Sequence, residues 1–312
     1  MGDPAFIAGD WGTTNLRLVL ADVDGNAVAS VTGPGAAQSQ SRFAAVFDDL
    51  TSPWTRKHGD VPAILCGMVG STIGWMNVPY VPCPAPPRQI AHRMTRVNDR
   101  PIFIAPGLSC RNRFDAPDVM RGEETQILGA LHSNAALQTG RQLLCLPGTH
   151  TKWVVLEDGV VREFLTSVTG ELFAVINDHS VLVRAEGASS NAGASFETAI
   201  AHVQRYPQAA LSQLLFECRS RQVLGELARD DAPGFLSGLI IGQDILAATR
   251  AFAKVLESGN GITVVANAQL TSLYRRACTA LRIPMLDVDG ANASLAGLTL
   301  LHSLRTGQSH GA

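Results

Sequence analysis

Asp10, Gly12, Thr13 and Thr14 lie within the stretch Phe6 to Arg17, FIAGDWGTTNLR, where an apolar run breaks on a carboxylate, a glycine and two hydroxyl side chains. A carboxylate in that setting can hold Mg²⁺ directly or through bound waters, and the N–H groups and hydroxyls around Gly12, Thr13 and Thr14 can hold phosphate oxygens. An alternating apolar segment, Leu16 to Leu20, follows and ends at Asp24-Gly25, a strong hairpin-turn signal. Asp10 to Asn15 is therefore expected as the tight turn of a β-hairpin. A single Asp-x-Gly-x-Thr also fits an ordinary turn with no ligand, so the motif needs a second observation.

That observation is Leu143 to Phe164, LLCLPGTHTKWVVLEDGVVREF, which repeats the plan: apolar strand, Gly148-Thr149 turn, β-rich strand, then Asp158-Gly159. Nearly half the chain separates the two Gly-Thr turns, which suggests a duplicated domain with one phosphate-gripping turn in each half. Two opposed turns could clamp a nucleotide triphosphate tail between lobes. The sequence holds no GxxxxGK[ST], GxGxxG, HExxH or GxSxG, so P-loop, dinucleotide, zinc-protease and nucleophile-elbow chemistries drop out. Phosphoryl transfer fits what remains, because it needs positioning and charge neutralisation more than a covalent nucleophile. Asp10 would anchor Mg²⁺, and Thr13, Thr14, Gly148 and Thr149 would grip the phosphates.

The elements that must position these residues follow in order. Phe43 to Leu50 has apolar residues at helical spacing. Ala63 to Cys66 reads as a buried strand running into Gly67-Met68-Val69-Gly70-Ser71, a small-residue loop of the kind where ligands approach an open α/β sheet. Met68, Gly70 and Ser71 are thus candidate substrate contacts. Five prolines between Pro79 and Pro87 predict an extended, semi-rigid surface connection. Ile102 to Ala105 is another buried strand, and Ser109 to Asp118 a polar loop at the cleft mouth. Glu123 to Gln126 open a helix that continues through Leu131; acids in a first turn also simply suit a helix N-terminus. Beyond the second hairpin, Phe173 to Val183 is expected helical and Gly187 to Gly193 a flexible linker. Helices fill Phe196 to Val223, and Phe235 to Phe252 is a long apolar helix whose Gly238 and Gly242 permit close packing. Ile262 to Ala266 is a β-branched strand, Ala291 to Leu304 a last helix returning to the first lobe with Gly297 inside it, and Thr306 to Ala312 a frayed tail.

A chain of 312 residues, 46% hydrophobic and 17% charged, has the composition of a compact protein with a substantial core. Its net charge of −2 leaves no electrostatic footprint for nucleic acid or an anionic membrane. No basic-then-apolar leader opens it and no apolar run approaches the ~18 residues of a membrane span, so cytoplasm is the expected location. Six cysteines without a CxxC spacing argue for reduced thiols, with Cys66, Cys145 and Cys278 in the core.

DWGTTNLR and PGTHTKW resemble the two phosphate motifs of the sugar kinase, hsp70 and actin superfamily. With GMVGSTIGW (Gly67 to Trp75), VMRGEETQILGA (Val119 to Ala130), TGEL (Thr169 to Leu172) and FLSGLIIG (Phe235 to Gly242), the order of blocks is similar to the 2-dehydro-3-deoxygalactonokinase family from Ile7 to about His302. The resemblance implies a two-lobed α/β, actin-like ATPase (ribonuclease H-like) fold with duplicated domains and an interlobe cleft. Residues 1–125 with the returning helix 291–312 would bind sugar acid and phosphate, and residues 126–290 the nucleotide. It further implies transfer of the γ-phosphoryl of ATP, with Mg²⁺, to the 6-hydroxyl of 2-dehydro-3-deoxy-D-galactonate.

The acceptor hydroxyl needs a carboxylate base. Helix-opening acids fill that role in related phosphotransferases, so Glu123 and Glu124 are the first candidates, Asp10 the second and Glu171 a third. Adjacent helical residues point about 100° apart, so the sequence does not separate Glu123 from Glu124. Arg121 could clamp the acceptor carboxylate bidentately, with Asn15, Arg17 and Lys152 as further candidates and Glu171 beside them. Lys152 could equally touch nucleotide phosphates, and Arg17 could be a solvated strand position. The family has a glycine-containing turn against adenosine; here Ala266, Asn267 and Ala268 stand in that place, and asparagine tolerates positive φ. His150 and His179 read equally as structural, and Trp11 and Trp75 as core or ligand-stacking residues. Two rivals remain: a phosphohydrolase of the same fold, and a catalytically silent sugar-acid-binding sensor. Oligomeric state is open, with a homodimer allowed.

Overall fold

A computed structural model describes residues 2–183, 193–257 and 259–307. The expected linker Gly187 to Gly193 and tail Thr306 to Ala312 fall almost wholly outside the described residues. The chain begins with β1 (Pro4–Trp11), β2 (Asn15–Asp22), β3 (Ala27–Pro34), α1 (Ala36–Ser39), α2 (Phe43–His58) and β4 (Ala63–Gly67). It continues with β5 (Val81–Pro82), α3 (Pro87–His92), β6 (Thr95–Arg96), β7 (Ile102–Ile104), β8 (Leu108–Arg111), β9 (Pro117–Met120) and α4 (Glu123–Ser133). Then come β10 (Arg141–Leu146), β11 (Thr151–Glu157), β12 (Val160–Ser167), α5 (Thr169–His179), α6 (Ala194–Arg205) and α7 (Leu211–Val223). The last elements are α8 (Ala232–Ala251), α9 (Ala253–Leu256), β13 (Ile262–Ala266), α10 (Ala268–Leu281), β14 (Met285–Asp289) and α11 (Gly290–Thr306).

The chain divides into two compact units. One comprises Met1–Gly140, Leu156–Phe164 and Asp289–Ala312; the other comprises Arg141–Val155 and Leu165–Val288. The expected division at residue 125 falls inside α4, and the first unit runs on to Gly140.

In the first unit a six-stranded sheet has the order β3-β2-β1-β4-β7-β6. β2 is antiparallel to both β1 and β3, whereas β1, β4 and β7 run parallel. The central strands β4 and β7 are buried at every residue, as expected where both faces of a parallel sheet are covered. The sheet reached through the second hairpin has the order β12-β11-β10-β13-β14. Hairpin strands lie outside and strands from later in the chain lie beyond the first, in the same sequence as β3-β2-β1-β4-β7. The duplication expected from the two hairpins is thus a repeated strand order within one α/β plan. Asp158 and Gly159 both take positive φ (51° and 73°), as a tight hairpin turn requires.

Two expectations need correcting. The proline-rich segment is not merely a surface connection: Val81 and Ala85 are buried, and β5 joins a three-stranded sheet of order β5-β8-β9. The N–H groups of Val81, Cys83 and Ala85 donate to Gly107, Ser109 and Val161 carbonyls at 2.8–2.9 Å. Prolines 82, 84 and 86 occupy the alternate positions, where no donor is needed. Ser109 to Asp118 is likewise no open loop, because β8 and β9 pair antiparallel across it. In the second unit, the helix Arg229–Ala251 is long and apolar enough to cross a membrane by length and composition, but 67% of that window is buried, which makes it a core helix. Gly238 and Gly242 face α6: a Cβ on Gly238 would lie 2.5 Å from Phe196 O, and one on Gly242 2.9 Å from the Ile200 side chain.

Candidate active site

The first Gly-Thr turn is tighter than its sequence implies. Asp10 pairs with Arg17 and Trp11 with Leu16, so Asp10 is still in strand β1 and the turn proper is Gly12 to Thr14. Gly12 N–H donates to Asn15 O at 2.9 Å, which closes the hairpin and removes Gly12 as a phosphate donor. The carbonyls of Gly12, Thr13 and Thr14 accept from Ala36, Ala37 and Gly35 N–H at 2.9, 3.1 and 3.2 Å. With its carbonyls drawn toward α1, the turn leaves the N–H groups of Thr13 and Thr14 without a partner among the described residues, and both side chains are exposed. Asn15 Nδ2 donates to Thr14 Oγ1 at 3.2 Å, so Asn15 serves the turn.

Beside this turn the structure separates the two acids that sequence could not. Gly122, at φ 104°, ends the run from β9 and starts α4. Arg121 N–H donates to Glu123 Oε2 at 3.0 Å, whereas Gly122 N–H donates to Glu124 Oε2 at 2.6 Å. Glu123 stays half-buried, but Glu124 is 1% exposed and its Oε1 is buried with no partner. Burial first, then the charge of Glu123, pushes the Glu124 carboxyl up to about 8.

Asp10 is half-buried and also held above the ordinary carboxylate range, chiefly by desolvation; Ser294 Oγ donates to its Oδ2 at 3.3 Å and opposes the shift. Cys66, fully buried at the end of β4, hydrogen-bonds Asp10, and Thr125 Oγ1 lies 3.4 Å from its sulfur. Desolvation, then the charges of Asp10 and Glu124, hold the thiol far above its usual range, so it stays protonated. Asp10 and Glu124 therefore both bear on Cys66, a residue that sequence reading assigned only to the core. Its signal was its place, directly before Gly67 at the C-terminal end of a parallel strand.

Helices α4 and α11 bring these groups together. A Cβ on Gly129 would lie 1.8 Å from Ala293 O, and one on Gly297 1.9 Å from Thr125 O, so the helices cross backbone against backbone. That crossing sets Ser294 of α11 on Asp10.

Arg121 is placed as a clamp would be. Its Nη2 donates to Val78 O at 2.7 Å, its guanidinium lies 4.4 Å from the Tyr80 ring centroid, and Nε and Nη1 are buried with no partner. Buried donors without partners cost about 1–3 kcal/mol each, so an anionic ligand is the natural complement. Gly70 adjoins it: a Cβ there would meet Nη1 at 2.8 Å. Ser71 Oγ donates to Met68 O at 2.7 Å and so builds its own loop, and Met68 packs partly on the core. Arg17 is exposed on β2, where it favours the ionised form of Asp10. Trp11 is a core residue, not a stacking platform: it is fully buried, donates to Pro34 O at 3.1 Å and meets Trp75 edge-on at 6.3 Å.

In the second unit, a cavity of about 350 Å³ opens beside the second Gly-Thr turn. Pro147 and Gly148 of the turn line it with the starts of three helices: Thr169 and Gly170 of α5, Pro233 and Gly234 of α8, and Asn267, Gln269 and Leu270 at α10. Ile240, Ile241 and Leu273 make it largely apolar. An apolar wall for a base with helix N-termini for anionic groups is a nucleotide-like environment. Asn267 sits at φ −72°, with its Oδ1 capping α10 through Leu270 N–H, so this turn needs neither glycine nor positive φ. The positive φ that asparagine would have tolerated is not used here.

Other second-unit expectations hold less well. Ala266 is packed in the core and is not part of the lining. Lys152 is buried, with Nζ donating to Thr166 Oγ1 at 3.0 Å, and is not part of the lining either. Glu171 pairs with His150 Nε2 at 2.6 Å, and its N–H donates to Thr149 O. It thus steadies the turn. Among the described residues no three His, Cys, Asp or Glu side chains converge as a metal cage. Asp10 fits Mg²⁺ in the other common manner, as one carboxylate complemented by phosphate oxygens and water.

A family model described as 2-keto-3-deoxy-galactonokinase matches residues 10–301. A relative from Rhizobium meliloti (strain 1021), named a probable 2-dehydro-3-deoxygalactonokinase, is 39% identical, covering 94% of this chain and 95% of its own. The 2-dehydro-3-deoxygalactonokinase of Escherichia coli (strain K12) is 35% identical over 94% of this chain and 96% of its own. A crystal structure from Sinorhizobium meliloti, provisionally given the same name, has a TM-score of 0.87 and 37% identity, covering 96% of this chain and 98% of that one.

Proposed function

This chain belongs to the 2-keto-3-deoxy-galactonokinase family, and on that premise we propose how its residues divide the work of an ATP-dependent kinase acting on 2-dehydro-3-deoxy-D-galactonate. Glu124 is the general base that takes the proton of the acceptor hydroxyl, which the chemistry of the family's substrate makes the 6-hydroxyl. The observation that carries this reading is a buried carboxylate with one oxygen held by Gly122 N–H and the other without a partner. Fixing one oxygen orients the group, and leaving the other open provides the acceptor. A base raised to about 8 by burial is also better matched to proton abstraction near neutral pH than an ordinary carboxylate.

Asp10 would hold Mg²⁺, which supplies charge neutralisation to the phosphates when bound. Thr13 and Thr14 offer N–H groups and hydroxyls to the transferred phosphoryl. Arg121 takes the sugar-acid carboxylate, steadied by Val78 and Tyr80. Gly70 leaves the space Arg121 needs. The second unit's cavity takes the nucleotide, with Gly148 and Asn267 in its lining and Thr149 beside Gly148 in the turn but outside that lining. Six free cysteines and a buried apolar helix suit a cytoplasmic enzyme.

The test is coupled ADP release with Mg-ATP, a panel of sugar acids and a no-acceptor control, run on wild type and Glu124→Gln. Release only with 2-dehydro-3-deoxygalactonate, abolished in the variant, supports the assignment. Acceptor-dependent release at wild-type rate in the variant removes Glu124 as the base.

A further inference from the structure

A carboxylate that serves a cation has to be aimed, and the groups that aim it matter nearly as much as the ligand itself. In the first unit, Asp10 of β1 is the register partner of Cys66 on the parallel strand β4. Register partners on neighbouring strands point to the same face of the sheet, so the thiol stands beside the carboxylate. Over that face α11 brings Ser294 Oγ to 3.3 Å from Asp10 Oδ2. The other oxygen, Oδ1, lies over Gly67, where a Cβ would be 3.5 Å from it.

Each donor has one direction to give its proton. Thr125 Oγ1 is 2.7 Å from Gly122 O and 3.4 Å from the Cys66 sulfur, so its proton is drawn to the nearer carbonyl. The thiol keeps its own proton for Asp10, the stronger acceptor of its two hydrogen-bond neighbours. The Ser294 hydroxyl has Asp10 as its one hydrogen-bond partner among the described residues. Cys66 is fully buried and Ser294 is 6% exposed, which leaves neither a surface for a ligand of its own. Whatever these two side chains do for the reaction, they do through Asp10.

We propose that Cys66 and Ser294 are positioning residues for phosphoryl transfer: their hydrogen bonds hold the Asp10 side chain in one orientation and aim its remaining lone pairs at the divalent cation. An ionised carboxylate has about four lone-pair sites, so two donors fix it and still leave room for metal or water. The strand pairing fixes where Asp10 starts, and the two donors fix where its oxygens end. The inference rests on the reading that Asp10 serves the transfer.

The experiment joins the ADP-release assay to infrared spectroscopy of the full chain, in wild type, Asp10→Ala, Cys66→Ala, Cys66→Ser, Ser294→Ala and the double variant Cys66→Ala/Ser294→Ala. A wild-type rate in Asp10→Ala would overturn the reading of Asp10 and this inference together. With Asp10→Ala impaired, Cys66→Ala and Ser294→Ala should each lower kcat about tenfold, and the double variant about 100-fold. KM for 2-dehydro-3-deoxygalactonate should stay within about twofold in all three, whereas a loosened fold would raise it as well. Cys66→Ser keeps a donor and should recover most of the loss seen in Cys66→Ala. The S–H stretching band that vanishes in Cys66→Ser should move to higher frequency in Asp10→Ala, where its acceptor is gone; a thiol that only filled core space would not respond. Wild-type kcat in Cys66→Ala, or an unmoved S–H band in Asp10→Ala, would overturn the inference alone. So would an equal loss in Cys66→Ala and Cys66→Ser, because the donor would then not be what matters.

Discussion

The two Gly-Thr turns are copies of one device that have been given different chemistry. In both, the carbonyls of the turn are taken up by N–H groups that follow it: Gly35, Ala36 and Ala37 for the first, and Glu171 on Thr149 for the second. In both, a glycine makes the approach feasible, since a Cβ on Gly35 or Gly170 would come within 2.4 Å of the turn's backbone oxygens. Two residues before the glycine the copies part. The first has Asp10; the second has Leu146, 2% exposed. Asp10 is tolerated because Ser294 and Cys66 attend it, whereas Leu146 ends a fully apolar run in β10. The first turn thereby joins a group of carboxylates, and the second a largely apolar cavity ringed by helix starts. Turn geometry and charge are thus separable: the two turns share a backbone plan, and only the first carries a carboxylate beside it.

The harshest test of that contrast is to make the copies alike. Leu146→Asp should bury a carboxylate with no attendant donors, costing several kcal/mol and lowering the denaturation midpoint steeply. A near-native melt would mean that the second turn accepts charge as readily as the first. Removing the charge where it belongs comes next. Asp10→Asn and Glu124→Gln should each lower kcat by at least about 100-fold in the ADP-release assay, while Glu123→Gln stays within about fivefold. A larger loss at Glu123 than at Glu124 would reverse the assignment.

A third test reads the cost of the first unit's buried acid. The folded-state pKa of Glu124, about 8, lies above its unfolded value near 4.5. The folded protein therefore holds this proton longer, and the group's contribution is fully present below the unfolded value and lost as pH rises through about 8. Between pH 6 and 9, denaturant melts of wild type should lose on the order of 2 kcal/mol relative to Glu124→Gln. Parallel pH curves would show that Glu124 is not buried as a neutral acid. A milder effect, on acceptor binding alone, is expected at the clamp. Arg121→Lys keeps the charge but loses the planar fork, so KM for the sugar acid should rise about tenfold with kcat little changed.

Much of this was legible in the chain. Asp24-Gly25 and Asp158-Gly159 mark their hairpins because positive-φ turns select those residues locally, and the strand runs between them alternate over a few positions. Gly238 and Gly242 marked a helix able to pack closely, and it does, on Phe196 O and the Ile200 side chain. The proline-rich segment misled because composition says extended without saying what it pairs with. Prolines at alternate positions were compatible with a strand from the start, since β5 needs donors only at every second residue. At Ala266 to Ala268 the absence of glycine did not reveal how the turn is made: the backbone there is ordinary, and an asparagine cap makes the turn.

What the sequence determined by itself was the duplicated hairpin plan, the two Gly-Thr turns and the helix that opens on two acids. These are short-range features, set by residues within a few positions of each other. What only the tertiary structure decided was which acid faces the site, where Arg121 points and which remote groups attend them. Neighbouring helical residues differ by about 100° in direction, so a positive φ at Gly122 and the crossing of α4 with α11 had to choose between Glu123 and Glu124. Cys66, Ser294 and Tyr80 became functional candidates for the same reason: their partners lie far along the chain, and only packing brings them within reach.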